Sequence, residues 1–291
     1  MQLLDGKKAS NELLMNLKSK FAELKEGGIY PKLVIIMVGE DAASLSYIKQ
    51  KMIISKELGV KTELLKYSAE EATTEILIKK VIELNMDSSV NGMLIQLPLP
   101  SHIYAPEIFK AMSPYKDVDG FTAYNLGKTM LSAEFEELAP STPLGIIRLF
   151  EHYGIGILGK DIVVVGASNL VGKPMAIMFL NRRATVTVCH SKTRDLGFHT
   201  RKADILVVAV GKPHLITADM VKKDAVVVDV GINITVGGKL IGDVDFEKVS
   251  ERASYITPVP GGVGPMTVAC LMENIYKAVK KQIKMGSIKS R

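Results

Sequence analysis

The chain has 291 residues, a length that suggests roughly two domains, each able to bury its own core. Its 47% hydrophobic and 23% charged residues exclude a disordered chain, and no apolar run reaches the roughly 18–20 residues needed to cross a bilayer. The net charge of +6 suits a polyanionic small substrate or cofactor better than nucleic acid, because no basic motif is interleaved with aromatics and there is no Trp.

In chain order, Met1-Gln-Leu-Leu-Asp-Gly6 does not read as a signal peptide, so a cytoplasmic protein without a membrane partner is expected. Residues 10–26 predict a helix, with Leu13, Leu14, Leu17, Phe21 and Leu24 at helical spacing. Gly27-Gly28 ends it. Lys32-Leu-Val-Ile-Ile-Met-Val-Gly39 is a continuous apolar run, as expected of a strand covered on both faces. The next helix opens at Asp41, a candidate N-cap, and stops at Gly59. A strand over 61–67, a helix over 73–84 and the strand Asn91-Gly-Met-Leu-Ile-Gln-Leu-Pro98 complete a β-α-β-α-β order, which implies a parallel sheet with right-handed crossovers.

Three places in this half carry candidate chemistry. On the helix after Asp41, Ser44, Tyr47 and Lys51 form a stripe beside the core stripe of Leu45, Ile48 and Met52. An aromatic ring beside an amine could stack a flat substrate and act on it, since a lysine of lowered pKa does acid–base work. Spacing alone favours the plainer reading, a solvated lysine passing a half-buried tyrosine. Gln96 ends an apolar strand, where parallel sheets place ligands, and could bond an amine such as Lys51 or satisfy local backbone. Lys116-Asp-Val-Asp119-Gly120 is a polar turn that, taken alone, reads as an Asx turn.

Around Pro140-Ser-Thr-Pro143 the chain changes character, and Thr142 with Pro143 opens a helix to about residue 153. The clearest unit follows: strand Asp161-Ile-Val-Val-Val, the turn Gly166-Ala-Ser168-Asn-Leu-Val-Gly172, a helix to 181 and the strand 184–189. The turn departs from G-x-G-x-x-G, but strand-turn-helix is the setting in which a dinucleotide pyrophosphate meets a helix N-terminus. After the second strand an NAD site places an acid; here stand His190, Ser191, Lys192 and Thr193, which suit the 2′-phosphate of NADP instead. Strands over 204–211 and 225–232 end in glycines, and 235–239 reads as a hairpin turn. Residues 255–267, with Pro258, Pro260 and Pro265 among Gly261, Gly262 and Gly264, read as a rigid loop, either a linker or a ligand wall, before a helix over 268–284. The basic tail Lys277, Lys280, Lys281, Lys284, Lys289 and Arg291 complements that helix's dipole. Cys189 and Cys270 read as free thiols, and the histidines show no metal-ligand spacing, so no metal is expected.

Together, Tyr47-x-x-x-Lys51, Gln96-Leu-Pro98, Lys116-Asp-Val-Asp119-Gly120, Thr142-Pro143, Gly166-x-Ser168-x-x-Val171-Gly172-x-Pro174 and Pro258-Val-Pro-Gly-Gly-Val-Gly-Pro-Met-Thr267 occur in that order. The set closely resembles the bifunctional methylenetetrahydrofolate dehydrogenase/methenyltetrahydrofolate cyclohydrolase (FolD) family, across nearly the whole chain. The length matches the two-activity bacterial type and leaves no room for a fused synthetase domain. The resemblance implies an α/β fold of two α/β domains flanking a cleft, the second a Rossmann-type doubly wound parallel sheet. Residues 1–139 would form the folate-binding catalytic domain, with 267–291 packing back on it, and 140–266 the NADP-binding domain.

By the same resemblance, the enzyme oxidises 5,10-methylenetetrahydrofolate with NADP+ and hydrolyses the methenyl product to 10-formyltetrahydrofolate. Lys51 matches the catalytic lysine, Gln96 the glutamine that tunes it, Tyr47 the ring that stacks on folate, and Asp119 the carboxylate that binds the pterin nitrogens. Gly166, Ala167, Ser168, Ser191 and Ile232 match cofactor contacts, and Pro260, Gly261 and Gly262 are expected beside the substrate. Two departures are visible. Ala167 replaces an arginine that many members use on the 2′-phosphate, shifting that role to Ser191 and Lys192. Ser141 stands where a cysteine often precedes Thr-Pro, a change expected to be silent. A homodimer through the cofactor domains is also implied. The rival readings are a shikimate- or quinate-type dehydrogenase, which would lack the Pro-Gly-Gly-Val-Gly-Pro loop, and a basic regulatory or nucleic-acid-binding protein with a vestigial Rossmann half.

Overall fold

A computed structural model describes residues 1–235 and 237–288; Val236 in the expected hairpin turn and Lys289 and Arg291 of the basic tail lie outside the described residues. The chain opens with β1 (Gln2–Leu3) and α1 (Gly6–Glu26), then alternates β2 (Lys32–Val38), α2 (Ala42–Glu57), β3 (Lys61–Tyr67), α3 (Thr74–Met86) and β4 (Gly92–Ile95). Two short helices follow, α4 (Ala105–Ala111) and α5 (Ala123–Leu131), and then α6 (Ser141–Tyr153). The second alternation runs β5 (Asp161–Val165), α7 (Gly172–Asn181), β6 (Thr185–Cys189), α8 (Leu196–Thr200), β7 (Ile205–Val208) and β8 (Val226–Asp229). A hairpin of β9 (Asn233–Ile234) and β10 (Leu240–Ile241), then α9 (Phe246–Ser250), β11 (Tyr255–Ile256) and α10 (Val263–Lys284), complete it.

The chain divides into two compact units. One takes Leu13–Lys128, Glu136–Ser141 and the chain from Val268 onward. Its parallel sheet has the order β3-β2-β4, so the chain leaves β2 for one neighbour and returns to pair on its other side. Side chains alternate across β2. Leu33, Ile35 and Met37 join Leu17, Phe21, Ile48, Leu271, Met272 and Ile275, whereas Val34, Ile36 and Val38 join Leu77, Val81, Met93 and Ile108. Both faces are covered, which is why the run is apolar without interruption. Asp41 caps α2 by accepting from the Ser44 amide at 2.7 Å, and Gly59 takes a left-handed φ of +76° after it.

The other unit takes Met1–Glu12, Thr129–Phe135 and Thr142–Thr267. Its six-stranded sheet has the order β1-β11-β8-β7-β5-β6, with every pairing parallel. From β5 the chain goes outward to β6 and then back to β7 on the opposite side, making a switch point between β5 and β7 where open α/β sheets receive ligands. This is the doubly wound α/β class that the sequence implied. Gln2 and Leu3 pair with Tyr255 and Ile256, so the first residues belong to this sheet rather than with the segment that follows them; two residues of strand carry no periodicity to show it.

One expectation about residues 255–267 needs correction. They are not loop throughout, because α10 starts at Val263 and takes in Gly264 and Pro265. Proline costs little in a first helical turn, where its missing N–H would have had no intrahelical partner.

Candidate active site

In the three-stranded unit, Tyr47 and Lys51 lie one turn apart on α2, and Gln96 follows the last residue of β4. The Lys51 side chain is not solvated: the residue is only 4% exposed. Its Nζ donates to Gln96 Oε1 at 3.1 Å and sits 4.9 Å from the centroid of the Tyr47 ring. Gln96 is itself held, since its Nε2 donates to the Leu97 carbonyl at 2.8 Å, which leaves Oε1 facing the amine. The hydroxyl of Ser44, one turn before Tyr47, donates to the same carbonyl at 3.4 Å. Burial pushes the Lys51 amine below the ordinary lysine range, and the Asp119 charge acts in the opposite direction. An amine whose proton is easily lost, under an aromatic face, can act as a general base on a flat substrate.

The turn at 116–120 separates into structural and candidate functional groups. Lys116 Nζ donates to the carbonyls of Leu84, Asn85 and Asp87 at 2.7–2.9 Å, satisfying the C-terminal end of α3. Asp117 is buried and accepts from the amides of Gly120, Phe121 and Thr122 and from Asn125 Nδ2, all within 3.1 Å. These are the Asx bonds the sequence suggested. Asp119 instead is half-buried, and its Oδ1 accepts from Ser141 Oγ at 3.0 Å. Its charge acts on Lys51. Tyr47, Lys51, Gln96 and Asp119, four positions spread over 73 residues of sequence, therefore belong to one cluster.

The second candidate region is in the six-stranded unit, at its switch point. Gly166 closes β5 with φ +126°, and a Cβ there would stand 2.3 Å from the Ala209 carbonyl oxygen. A Cβ on Gly172 would stand 2.0 Å from the Gly166 carbonyl oxygen. The turn is thus packed backbone on backbone, as a phosphate cradle requires. Ser168 Oγ accepts from the amides of Val171 and Gly172 at 3.1 and 3.4 Å, shaping the start of α7, and Ala167 presents only a methyl group. After β6, residues 190–193 form a tight turn in which the His190 amide donates to Thr193 Oγ1 at 2.8 Å, leaving Ser191 and Lys192 exposed. The first carboxylate beyond, Asp195, accepts from the Phe198 amide at 3.0 Å and caps α8. A glycine turn opening a helix, followed by a hydroxyl and a cation after the next strand, fits a dinucleotide carrying a 2′-phosphate. Ile232 stands after β8, exposed.

Pro260, Gly261 and Gly262 lie in the six-stranded unit, just ahead of α10, and the Val259–Pro260 bond is cis. Gly261 has φ +110° and accepts at its carbonyl from the Lys7 amide at 3.2 Å, while a Cβ on Gly6 would stand 1.7 Å from the Gly262 carbonyl oxygen.

Residues 4–119 match the family model described as Tetrahydrofolate dehydrogenase/cyclohydrolase, catalytic domain, and residues 140–283 match that of its NAD(P)-binding domain. The bifunctional protein FolD of Nautilia profundicola is 50% identical over 280 residues, covering 96% of this chain and 98% of its own. Among solved structures, the bifunctional FolD methylenetetrahydrofolate dehydrogenase/cyclohydrolase of Campylobacter jejuni has a TM-score of 0.92 at 48% identity, covering 97% of this chain and 99% of its own. The Trypanosoma brucei methylenetetrahydrofolate dehydrogenase-cyclohydrolase, complexed with NADP cofactor and inhibitor, has a TM-score of 0.92 at 33% identity, covering 96% and 97%. The chain belongs to the FolD family. It is a bifunctional dehydrogenase/cyclohydrolase of folate one-carbon metabolism with a catalytic and an NAD(P)-binding domain, and the rival readings fall away.

For a FolD chain, two features of the cluster were not visible in sequence. Ser141 is more than a size-matched replacement for cysteine, because its hydroxyl bonds Asp119. The Leu97 carbonyl, just before the cis Pro98, orients Gln96. No side-chain pattern signals a carbonyl. Ser141 could have been found only by noting that Thr142-Pro143 starts a helix and that the residue before it lies near the 117–120 turn.

Proposed function

We propose that Lys51 carries the hydrolytic chemistry of both-activity catalysis in this chain, and that its buried amine beside Gln96 is the observation that supports the reading most directly. Hydrolysis adds water to the methenyl carbon and breaks its bond to one flanking nitrogen. Neutral Lys51 takes a proton from the attacking water and returns it to the departing nitrogen. Gln96, anchored on the Leu97 carbonyl, holds the amine in place by accepting from it. Tyr47 stacks on the pterin, and Asp119, oriented by Ser141, accepts from the pterin nitrogens. Pro260, Gly261 and Gly262 keep the substrate contact that their motif implies.

Oxidation of the methylene group gives a cation delocalised over two nitrogens, so the residues contribute mainly position. The cofactor is NADP; Gly166, Ala167 and Ser168 would hold it at the pyrophosphate and Ser191 and Lys192 at the 2′-phosphate, with Ile232 as a further contact. Bound there, it supplies the hydride acceptor. The protein acts in the cytoplasm as a homodimer joined through its cofactor-binding units, a state light scattering would read directly.

The test is Lys51→Met assayed for both reactions. Decay of methenyltetrahydrofolate absorbance is expected to be lost, while NADPH formation from methylenetetrahydrofolate stays measurable; hydrolysis at the wild-type rate would remove Lys51 from this role. In the wild-type enzyme kcat/KM is expected to favour NADP+ over NAD+ by about tenfold or more, the order expected of one lost charge-assisted contact. A preference for NAD+ would overturn the assignment of Ser191 and Lys192.

A further inference from the structure

Two buried carboxylates of the six-stranded unit have no part in the sites above. Asp229 ends β8, and Asp243, fully buried at 0% exposure, follows β10. Asp243 Oδ2 accepts from the amides of Val210 and Gly211 at 2.8 and 2.9 Å, and its Oδ1 from the Lys212 amide and Asn233 Nδ2 at 2.8 and 2.9 Å. Asp229 Oδ1 accepts from the amides of Gly231 and Asp243 at 2.9 and 3.0 Å, and its Oδ2 from the Val244 amide at 2.9 Å. Six backbone amides therefore converge on two carboxylates, and Asp243's own amide links the pair. Glycines leave the space: a Cβ on Gly231 would stand 2.2 Å from Asp243 Cγ, and one on Gly242 would stand 1.8 Å from Asp229 Oδ2.

What the pair holds is the rim of the cofactor region. Residues 210–212 continue directly from Ala209, whose carbonyl packs against Gly166 at the switch point. Ile232 is 55% exposed, yet its neighbours are both tied down, Gly231 by Asp229 and Asn233 by Asp243. Surface loops can satisfy their amides with water. Taking two ionisable groups out of water to do it instead fixes a conformation, and here it is fixed at strand carboxyl ends where an open α/β sheet meets its ligand. The β5 turn suits the pyrophosphate and the β6 end suits the 2′-phosphate, so the ends of β7 and β8 face the remaining half of the dinucleotide, the nicotinamide.

We propose that Asp229 and Asp243 are positioning residues for the dehydrogenase reaction, clamping residues 210–212 and Ile232 in the arrangement that receives the nicotinamide half of the cofactor. This rests on the reading of Ile232 as a cofactor contact. The test uses the full chain and reads KM for NADP+ and kcat in the dehydrogenase assay, beside hydrolysis of methenyltetrahydrofolate without NADP. Asp243→Asn turns one acceptor oxygen into an NH2 group aimed at amide donors. It is expected to raise KM for NADP+ about tenfold or more, with kcat and hydrolysis within about twofold of wild type. Asn233→Ala removes the Nδ2 donor, which also reaches the Ile241 carbonyl at 3.5 Å, and leaves every backbone amide in place; it is expected to raise the same KM about threefold, and it carries the test if Asp243→Asn does not fold. An unchanged KM in the folded variant overturns the proposal. So does a parallel loss of both activities with a lowered melting temperature, the mark of a purely structural pair. Ile232→Ala separates the two layers: if its KM for NADP+ is unchanged, the cofactor contact itself is wrong, whereas a raised KM there with a wild-type value in Asp243→Asn sinks only the clamp.

Discussion

Burial separates Lys51 from every other described lysine except Lys116, whose amine is taken up by three carbonyls, and it sets the sign of a pH effect. Burial lowers the pKa of the amine while Asp119 raises it, so hydrolysis by a neutral Lys51 climbs as pH rises through the net value. Removing the charge in Asp119→Asn removes the opposing influence, and the climb in kcat/KM for hydrolysis is expected to move to lower pH. Displacement to higher pH would show that Asp119 does not act on this amine. The chemical types in this cluster were legible in sequence: Tyr47 and Lys51 are neighbours at one helical turn, and Gln96 stands at a strand end. The burial was not. Spacing on α2 favoured a solvated lysine, because whether that edge of the helix is covered is decided by the end of β4, 45 residues away. Likewise, Asp117 and Asp119 are indistinguishable in a Lys-Asp-Val-Asp-Gly string until amide donors are seen around one and Ser141 beside the other.

Among the elements, the long apolar strands and capped helices were read correctly because each carries its own signal: β2 its unbroken apolarity, α2 its Asp41 cap and Gly59 stop. The short helices α4 and α5 escaped, since one has only seven residues and the other buries the polar Asn125 and Thr129 while exposing Met130 and Leu131. The α10 boundary was set five residues late by treating Pro265 as a breaker. Glycines make the element scale testable. A Cβ on Gly172 would strike the Gly166 carbonyl oxygen at 2.0 Å and the Ala167 nitrogen at 2.9 Å, and backbone cannot swing aside as a side chain can. Gly172→Ala is therefore expected to destabilise by about 3 kcal/mol or more, the upper end of overpacking costs. Gly127 in α5 has nothing within 4 Å of its Cβ position. Gly127→Ala is expected to stabilise by about 0.5–1 kcal/mol, because alanine loses less backbone freedom in a helix. Denaturant titration of the pair reads both signs, and a neutral Gly172→Ala would mean that the turn is not packed as described.

The whole molecule's stability also depends on protons, and Asp229, like the buried Asp117, sets a slope of unusual sign. Several exposed or half-buried carboxylates, among them Asp41, Asp87 and Asp204, are held below their ordinary range by hydrogen bonds, joined at Asp87 and Asp204 by neighbouring cations, and such groups contribute stability that is lost as pH falls. Asp229 behaves oppositely. Burial, opposed by the three amides that bond it, raises its pKa from 3.8 to about 6. Between those values the folded chain binds the proton more tightly than the unfolded chain, so this group's contribution is full below about pH 4 and is lost as pH rises through 6. A displacement of that size corresponds to about 3 kcal/mol. Asp229→Asn, which cannot titrate, is expected to be less stable than wild type through its misplaced NH2 group, but that deficit should narrow by about 2–3 kcal/mol between pH 4 and pH 7. The slope of the difference, rather than its offset, identifies the carboxyl group, since the steric effect of the amide is the same at every pH. Chemical denaturation of both proteins across that range provides the measurement. A difference that stays constant would place the Asp229 pKa near that of an ordinary aspartate, and one that widens with pH would mean that its three-amide setting favours the anion more than burial opposes it.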